Sequence, residues 1–390
     1  MNSVDVAIVG AGVVGSATAF HLLKHGFSGS ILIIEKDTTY AYGCTARAVG
    51  GMRQQFSCPE NILLSRYGLD FVRALKRDFG AEADVGFREQ GYLLLATASG
   101  MPQLKANVEI QRALGADVGI LEGDALKGQF PWLVTDGLAG GAFSRSGEGW
   151  LDPNTLMTFL RKNAVEGGAT LVRDEVVAVE RSGDRVASLS LKSGRRIAVG
   201  TLVNAAGAGA GALAAMADID LPVGPRKRYV YVLDCPQAGE ALHRGPLTVD
   251  PTGVYLRPEG KHFLTGLSPS SAEEPHDLDW DVDYAWFEER IWPLLAERVP
   301  AFEATKVINA WVGHYDYNAH DENGIIGRHP RIANFYFGNG FSGHGLQQGP
   351  ATGNAIAELI VYGEYRTIDL SRLGYERILC GKTYGENNII

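Results

Sequence analysis

The sequence predicts a protein of the α/β class, α+β overall, in which a nucleotide-binding domain is joined to a domain built on an antiparallel sheet. The first observation is an apolar run, a glycine-rich turn and a helical pattern that follow one another within the first 25 residues. The second is a set of short apolar and aromatic runs at residues 91–95, 229–233 and 254–256. With 390 residues, 45% of them hydrophobic, the chain is long enough to bury two adjoining cores.

The N-terminal segment has the pattern of a Rossmann-like nucleotide-binding unit. Residues 4–9 are apolar except for Asp5, as in a buried parallel strand, and lead directly into a G-x-G-x-x-G motif at residues 10–15. The three glycines allow a tight turn, close approach of the backbone to a pyrophosphate, and close packing of the next helix on the strand. A second apolar strand, residues 31–34, ends in Glu35, whose carboxylate is placed to accept hydrogen bonds from a ribose.

Charge and cysteine content exclude several classes of function. The 36 basic and 45 acidic residues give a net charge of −9, so we expect no nucleic-acid partner. The four cysteines lack C-x-x-C spacing, so we expect no metal site, and so few of them suit a reducing compartment. Residues 205–217 are too short and too weakly apolar for a transmembrane segment. No basic run precedes an apolar stretch at the N-terminus, and we therefore expect a cytoplasmic protein.

The glycine motif alone does not distinguish FAD from NAD, but the segment that follows it is informative. Residues 42–53 are rich in small side chains and include Arg47 and Arg53. An open backbone of this kind suits an extended cofactor, and the arginines suit a phosphate, a reduced flavin or a substrate carboxylate. A flexible loop with solvated arginines is the alternative interpretation.

A second glycine-rich segment, residues 201–212, also follows an apolar strand, and Asp234 ends another strand 22 residues later. A separate NAD(P) site is one interpretation of this pattern. Pro222 and Pro225 interrupt the connection, however, which favours a second contact with the same cofactor.

The C-terminal part of the chain repeats the order of strand, glycine turn and helix. Residues 335–338 form an apolar run that ends in Gly338, four more glycines follow at positions 340, 343, 345 and 349, and residues 351–361 have helical periodicity. A helix N-terminus in this position would stabilise negative charge on a bound ligand.

These motifs together resemble the D-amino-acid oxidase and sarcosine oxidase superfamily of FAD-dependent oxidoreductases. The resemblance covers nearly the whole chain, and the segments that carry it are GAGVVGSATAFHLLKHG with ILIIEKD, CTARAVGGMRQQF, EGWLDPNTLM, LVNAAGAGAGAL with LPVGPRKRYVYVL, and GNGFSGHGLQQGPATGNAIAELI. Within the superfamily, PRKRYVYV, GHYDYNAHDENGIIGRHP and the tail GENNII resemble a subgroup linked to assembly of respiratory complex I.

The resemblance implies a set of FAD contacts and a set of substrate contacts. The implied FAD contacts are Gly10, Ala11, Gly12, Val14, Gly15, Glu35, Lys36, Thr45, Arg47, Ala48, Gly50, Gly51, Met52, Val177, Ala206, Gly207, Gly340, Phe341, Ser342, Gly343, His344, Gly345, Leu346 and Gln347. The candidate catalytic residues are Arg53, which would bind a substrate carboxylate, His314 and His344, which would tune the proton balance, and Gln347 and Tyr255. Tyr315 and Tyr317 are further candidates for the pocket wall.

The sequence departs from the monomeric sarcosine oxidases at three positions. Gln347 occupies the position at which those enzymes have a lysine that holds the substrate carboxylate. The cysteine that links their flavin covalently corresponds to a position near Gly313, next to His314. Their oxygen-activating lysine has no counterpart at residues 263–266. The resemblance therefore implies non-covalent FAD and favours an electron carrier over O2 as acceptor, although O2 stays open.

We assign residues 1–86, 144–222 and 312–390 to a discontinuous FAD-binding domain, and residues 87–143 and 223–311 to the substrate domain. The sheet of the substrate domain would cover the flavin and hold the substrate.

Three functions are compatible with the sequence. The first is FAD-dependent oxidation of the C–N bond of a small secondary or N-methyl amine or amino acid, such as sarcosine, dimethylglycine, proline, an opine or a related compound. The alternative is an assembly factor with structural FAD and a protein partner subunit, which the resemblance to the complex I subgroup suggests. The third is a flavin reductase that takes electrons from NAD(P)H.

Overall fold

The computed structural model describes residues 2–387, so the last three residues of the tail GENNII lie outside it. The strands are β1 (Ser3–Val9), β2 (Ile31–Glu35), β3 (Gly51–Met52), β4 (Tyr92–Ala96), β5 (Gly119–Glu122), β6 (Gly140–Ser144), β7 (Gly149–Trp150), β8 (Thr170–Arg173), β9 (Val176–Ser182), β10 (Arg185–Leu191), β11 (Arg196–Asn204), β12 (Val223–Asp234), β13 (Leu247–Val249), β14 (Tyr255–Glu259), β15 (His262–Gly266), β16 (Lys306–Asn318), β17 (Ile325–Arg328) and β18 (Phe335–Asn339). The helices are α1 (Val13–Lys24), α2 (Pro59–Phe79), α3 (Met101–Ala113), α4 (Gly123–Gln129), α5 (Pro153–Glu166), α6 (Ala210–Ala215), α7 (Glu240–His243), α8 (Tyr284–Trp286), α9 (Trp292–Arg298), α10 (Gly345–Tyr362) and α11 (Glu376–Leu379).

The first sheet has the strand order β17–β18–β11–β1–β2–β8, and the hairpin β9–β10 extends it beside β11. β1, β2, β8, β11 and β18 pair in parallel, so their carboxyl ends lie at one edge. The apolar residues of β2 and most of those of β1 are buried, whereas Ser3 and Asp5 of β1 are exposed, so the apolar parts of both strands lie within the core. The sheet therefore brings the glycine turns after β1, β11 and β18 to the same edge, where ligands bind in open α/β sheets.

Helices α1 and α10 pack closely against each other on one face of this sheet. A β-carbon on Gly353 would lie 2.5 Å from the Ala17 carbonyl carbon, and one on Gly349 would lie 2.8 Å from Val13. α1 ends as expected, with Gly26 at a φ of 76°. The prediction for α10 was wrong at its start, because the helix begins at Gly345 rather than at residue 351. Its glycines and Pro350 are weak helix formers, but close packing against α1 outweighs that propensity.

The second sheet has the order β16–β12–β15–β14–β13–β4–β6–β5. Its pairings are antiparallel except that of β4 with β13, which confirms the predicted antiparallel-sheet domain. The long pairing of β12 with β16 spans Val223 to Asp234. All of β16 belongs to this sheet, and the proposed domain boundary between residues 311 and 312 falls inside it.

The α/β class predicted from the sequence is confirmed: one mixed α/β layer carries the glycine turns and one largely antiparallel sheet stands beside it. Within residues 2–387, no helix is both long enough and apolar enough to cross a lipid bilayer. The same residues contain no cluster of metal-ligating side chains.

Candidate active site

A long cavity of about 280 Å³ lies at the carboxyl edge of the first sheet. It is lined from the three glycine turns, the segment after β2, and β16 of the second sheet. The predicted site residues that line it are Gly10, Gly12, Val14, Glu35, Lys36, Thr45, Arg47, Ala48, Ala206, Gly207, His314, Phe341, Gly343, Gly345 and Leu346. Residues far apart in the chain therefore meet in one cavity.

The first glycine turn is held by contacts that only a glycine backbone permits. Gly10 has a φ of 100°, and a β-carbon there would lie 2.3 Å from the carbonyl oxygen of Ala205. Glu35 accepts hydrogen bonds from the amides of Ala11 at 2.8 Å and Asp37 at 2.9 Å. The turn, the acid at the end of β2 and the second glycine segment thus form one wall.

The second glycine segment faces the same cavity as the first. Ala206 and Gly207 line the long cavity beside Gly10. The Asn204 side chain, at the end of β11, donates to the Ala210 carbonyl at 2.9 Å and holds the segment in place. This placement gives the segment one shared cavity with the N-terminal motif.

An inner cavity of about 90 Å³ adjoins the long cavity on the side of the second sheet. The residues that line both cavities are Arg47, Ala48, Gly313, Tyr315, Gly343 and Leu346. The inner cavity is also lined by Gly50, Gly51, Arg53, Tyr92, Arg228, Tyr229, Tyr255, His344 and Gln347. The two cavities form one continuous site between the sheets.

Arg53 is buried in the wall of the inner cavity, where its side chain is 3% exposed. Its guanidinium donates to the Gln55 carbonyl and lies 3.1 Å from His344 Nε2. The guanidinium carbon also lies 3.9 Å from the centre of the Phe56 ring. Burial lowers the pKa of Arg53, yet the group stays charged at neutral pH because its ordinary value is 12.5. The cavity wall therefore presents a fixed positive charge.

His344 and Gln347, at the N-terminus of α10, fix the position of Arg53. The Gln347 side-chain oxygen accepts a hydrogen bond from the Arg53 amide at 2.6 Å. Burial, and to a smaller extent the charge of Arg53, lowers the pKa of His344 to about 3. His344 is therefore neutral at physiological pH and can accept a hydrogen bond from Arg53 through Nε2.

Glu148 is a buried carboxyl near Arg53 that sequence reasoning missed. It accepts hydrogen bonds from the Gln54 amide at 2.6 Å and the Gln55 side chain at 2.7 Å. Burial raises the pKa of Glu148 to about 7, and the two hydrogen bonds and Arg53 oppose that rise. Its signal in the sequence was a lone acid among glycines in the segment EGWLDPNTLM.

We expect Glu148 to make the stability of the protein depend on pH. The unfolded chain ionises this group near its ordinary pKa of 4.5, whereas the folded protein retains the proton up to about pH 7. The contribution of Glu148 to stability is complete below pH 4.5 and is lost as the pH rises through 7. Relative to the wild type, Glu148→Gln should therefore gain about 2–3 kcal/mol of unfolding free energy between pH 5 and pH 8.

Denaturant unfolding of both proteins at pH 5 and pH 8 measures this difference. Glu386→Gln is a control of opposite sign, because hydrogen bonds to Ser57, Asn61 and the Cys58 amide outweigh burial and lower the pKa of Glu386. Identical pH profiles for the wild type and Glu148→Gln would show that Glu148 titrates normally.

Tyrosines form much of the remaining wall of the inner cavity. Tyr92 is buried, Tyr255 and Tyr315 are partly buried, and burial raises the pKa of each, so all three stay neutral phenols. Tyr317 points elsewhere and donates to Glu322. The wall is thus aromatic and uncharged apart from its arginines.

The outer rim of the long cavity is formed by Arg47 and aromatic side chains. Arg47 donates to the Val312 carbonyl at 2.7 Å and lies 4.8 Å from the centre of the Trp280 ring. Trp280 stacks against His314 with ring centres 4.1 Å apart. Burial lowers the pKa of His314, which favours the neutral ring. Trp280 lies in a segment without a motif, so sequence reasoning did not identify it.

Six of the implied FAD contacts line neither cavity, namely Ala11, Gly15, Met52, Val177, Gly340 and Ser342. Four of them support the turns instead. Gly15 allows α1 to pack against the Gly10 carbonyl, and the Gly340 amide donates to buried Asp316 at 2.9 Å. Met52 lies in β3 and the Ser342 hydroxyl accepts from Asn318. Val177 lies in β9, away from both cavities and half-exposed.

The combined site fits an extended dinucleotide such as FAD. Val13 and Gly345 line the long cavity, so the N-termini of α1 and α10 both direct partial positive charge into it. The first helix would hold a pyrophosphate beside the Gly10 turn, and Glu35 would hold a ribose. The N-terminus of α10, at the junction of the two cavities, would stabilise negative charge on a reduced flavin.

Comparison with known proteins gives consistent results. The model of the FAD dependent oxidoreductase family, DAO, matches residues 5–359. The chain is 39% identical to FAD-dependent oxidoreductase domain-containing protein 1 of Bos taurus, over 99% of this chain and 87% of that protein. It is 26% identical to mitochondrial sarcosine dehydrogenase of Mus musculus, over 93% of this chain and 40% of that protein. L-proline dehydrogenase from P. horikoshii superposes with a TM-score of 0.87 at 25% identity, covering 98% of this chain and 100% of that one.

Proposed function

Because the chain belongs to the DAO family of FAD-dependent oxidoreductases, we propose that it oxidises the C–N bond of a small secondary or N-methyl amino acid. The observation that carries this proposal is the buried guanidinium of Arg53 in the wall of the inner cavity. A fixed positive charge beside a flavin site suits a substrate with a carboxylate next to its amine. Two relatives are named for sarcosine and L-proline, which are both secondary amines with one carboxylate.

The chain's own residues would bind and orient this substrate. Bound FAD supplies a hydride acceptor for the carbon next to the substrate nitrogen. Arg53 binds the carboxylate, and Gln347 and neutral His344 hold Arg53 in place. Tyr92, Tyr255 and Tyr315 exclude water from the reacting carbon. The amine loses a hydride and a proton, and water then hydrolyses the imine product outside the site.

We further propose that FAD is bound without a covalent link and that a carrier rather than O2 accepts its electrons. Cys44 is the cysteine that lines the long cavity, and burial raises the pKa of its thiol to about 12, so it is a poor nucleophile. Among the described residues, no lysine lines the inner cavity. The four cysteines are all free thiols, which favours the cytoplasm as the compartment.

Anaerobic mixing of the purified flavoprotein with amino acids tests the proposal. We expect sarcosine, dimethylglycine, proline or an opine to bleach the flavin absorbance, and oxygen consumption with the same substrate to be much slower than bleaching. Acid precipitation should release the FAD into the supernatant. Oxygen uptake as fast as flavin reduction would contradict the assignment of a carrier.

Two other results would point to different functions. A flavin that dithionite reduces but no amine reduces, in a protein that copurifies with a stable partner, would favour an assembly role. Bleaching by NADPH alone would favour a flavin reductase.

A further inference from the structure

Arg228 is a second arginine in the wall of the inner cavity. It belongs to β12, its guanidinium carbon lies 5.4 Å from the centre of the Tyr315 ring, and its side chain is 10% exposed. Burial raises the pKa of Tyr315 overall, although the charges of Arg228 and Arg53 both lower it. The inner cavity, which Arg53 and Arg228 both line, therefore has two cationic groups near Tyr315.

The carboxylate that pairs with Arg228 is partly exposed to solvent. Glu274 accepts two hydrogen bonds from the guanidinium, at 2.7 Å and 3.0 Å, and its side chain is 18% exposed. Glu274 lies in residues 267–283, which form no helix or strand. The same segment is held separately by Lys227, which pairs with Asp277 at 3.2 Å and Asp279 at 2.5 Å. Movement of Glu274 toward solvent therefore need not free the segment.

Arg228 also has hydrogen-bonding capacity that the protein does not use. Its Nε atom is buried and has no partner among residues 2–387, although a guanidinium has five N–H donors. A buried donor without an acceptor is costly, and native proteins retain such groups mainly where a ligand or another function uses them.

The charge of the cavity wall points to an acidic substrate. Arg47, Arg53 and Arg228 line the inner cavity, and none of the described Asp or Glu side chains does. A substrate with one carboxylate and a protonated amine brings no net negative charge to this wall. A substrate with two carboxylates does, and its two carboxylates would pair with Arg53 and Arg228.

We propose that the substrate is a secondary amino acid with a second carboxylate, which Arg228 binds in place of Glu274. This inference rests on the proposed function, in which Arg53 binds the first carboxylate. Glu274 is then a carboxylate of the protein that occupies the site of the second group and competes with it.

Binding of two ethers tests this proposal without turnover. Diglycolate carries two carboxylates and methoxyacetate carries one, and an ether oxygen replaces the amine, so neither is oxidised as an amine. Calorimetric titration of the FAD-loaded wild type should show tighter binding of diglycolate. Arg228→Gln should weaken diglycolate binding at least about tenfold and change methoxyacetate binding less than about twofold.

Glu274→Gln is the matched variant, because it breaks the same ion pair but leaves Arg228 in the cavity. It should tighten diglycolate binding by about three- to tenfold. Arg228→Lys, which keeps the charge and loses the planar fork, should fall between the wild type and Arg228→Gln. If the ion pair only supports the fold, Arg228→Gln and Glu274→Gln will change binding in the same direction, and the proposal is overturned.

The two proposals fail in different ways. Equal binding of both ethers by the wild type, or equal weakening of both by Arg228→Gln, overturns the second-carboxylate site even if sarcosine reduces the flavin. Opposite effects of the two variants on diglycolate binding support that site even if no amine in the panel bleaches the flavin.

Discussion

Replacing Arg53 with methionine is expected to lower kcat/KM for flavin reduction by a carboxylated amine about 150- to 4,000-fold. The guanidinium is buried beside His344, so a carboxylate that binds it loses its water and depends on this one charge. Loss of one partner from a buried ion pair costs about 3–5 kcal/mol, which corresponds to this factor. The rate of anaerobic bleaching as a function of substrate concentration measures the effect.

Arg257→Met is the matched control for removal of a buried arginine. Arg257 is 4% exposed and donates to the Val49 carbonyl at 2.9 Å, but it lines neither cavity. Both variants should lose stability, and only Arg53→Met should lose activity per bound FAD. Equal losses of activity would show that Arg53 acts through folding alone. Arg53→Lys should retain part of the activity, because it keeps the charge without the planar fork.

Replacing Gly10 with alanine is expected to abolish FAD binding and to destabilise the fold by at least about 3 kcal/mol. The new β-carbon would lie 2.3 Å from the Ala205 oxygen and 2.9 Å from its carbonyl carbon, and both atoms belong to the wall of the long cavity. The two glycine segments would have to move apart, which widens the cavity where a pyrophosphate would bind. Flavin content after purification and the denaturation midpoint measure the two effects.

Gly26→Ala separates this steric effect from backbone strain. Gly26 also has a positive φ, 76°, but a β-carbon there would meet nothing within 4 Å. We expect it to cost about 1 kcal/mol and to leave FAD bound. Normal flavin content in Gly10→Ala would contradict the role assigned to the contact between the two glycine segments.

The elements that the sequence predicted well are those determined by local pattern. β1, α1 and β2 follow from an apolar run, a glycine turn and an acid that lie within 35 residues of one another. Gly26 ends α1 because a left-handed residue is needed there. The start of α10 was mispredicted because its helical conformation depends on contact with α1, which is more than 300 residues away in the chain.

The inner cavity could not be predicted in the same way. Glu148, Arg228 and Trp280 come from three separate segments of the chain. Glu148 and Arg228 lie in segments that carry the family resemblance, but nothing in those segments marked either residue as part of the site. Their importance follows from burial and from their partners, such as Gln55 and Glu274. The sequence does not distinguish a buried acid or arginine from a solvated one, so composition and spacing do not reveal which of these residues belong to the site.

The most direct test of the account compares an amino acid with the same amine lacking its carboxylate. Proline and pyrrolidine differ only in that group, as do sarcosine and dimethylamine. For the pair whose amino acid bleaches the flavin anaerobically, we expect the amine without the carboxylate to react at least about 100-fold more slowly, because it cannot pair with Arg53. Equal bleaching by both members of the pair would contradict the proposed role of Arg53 and of the inner cavity.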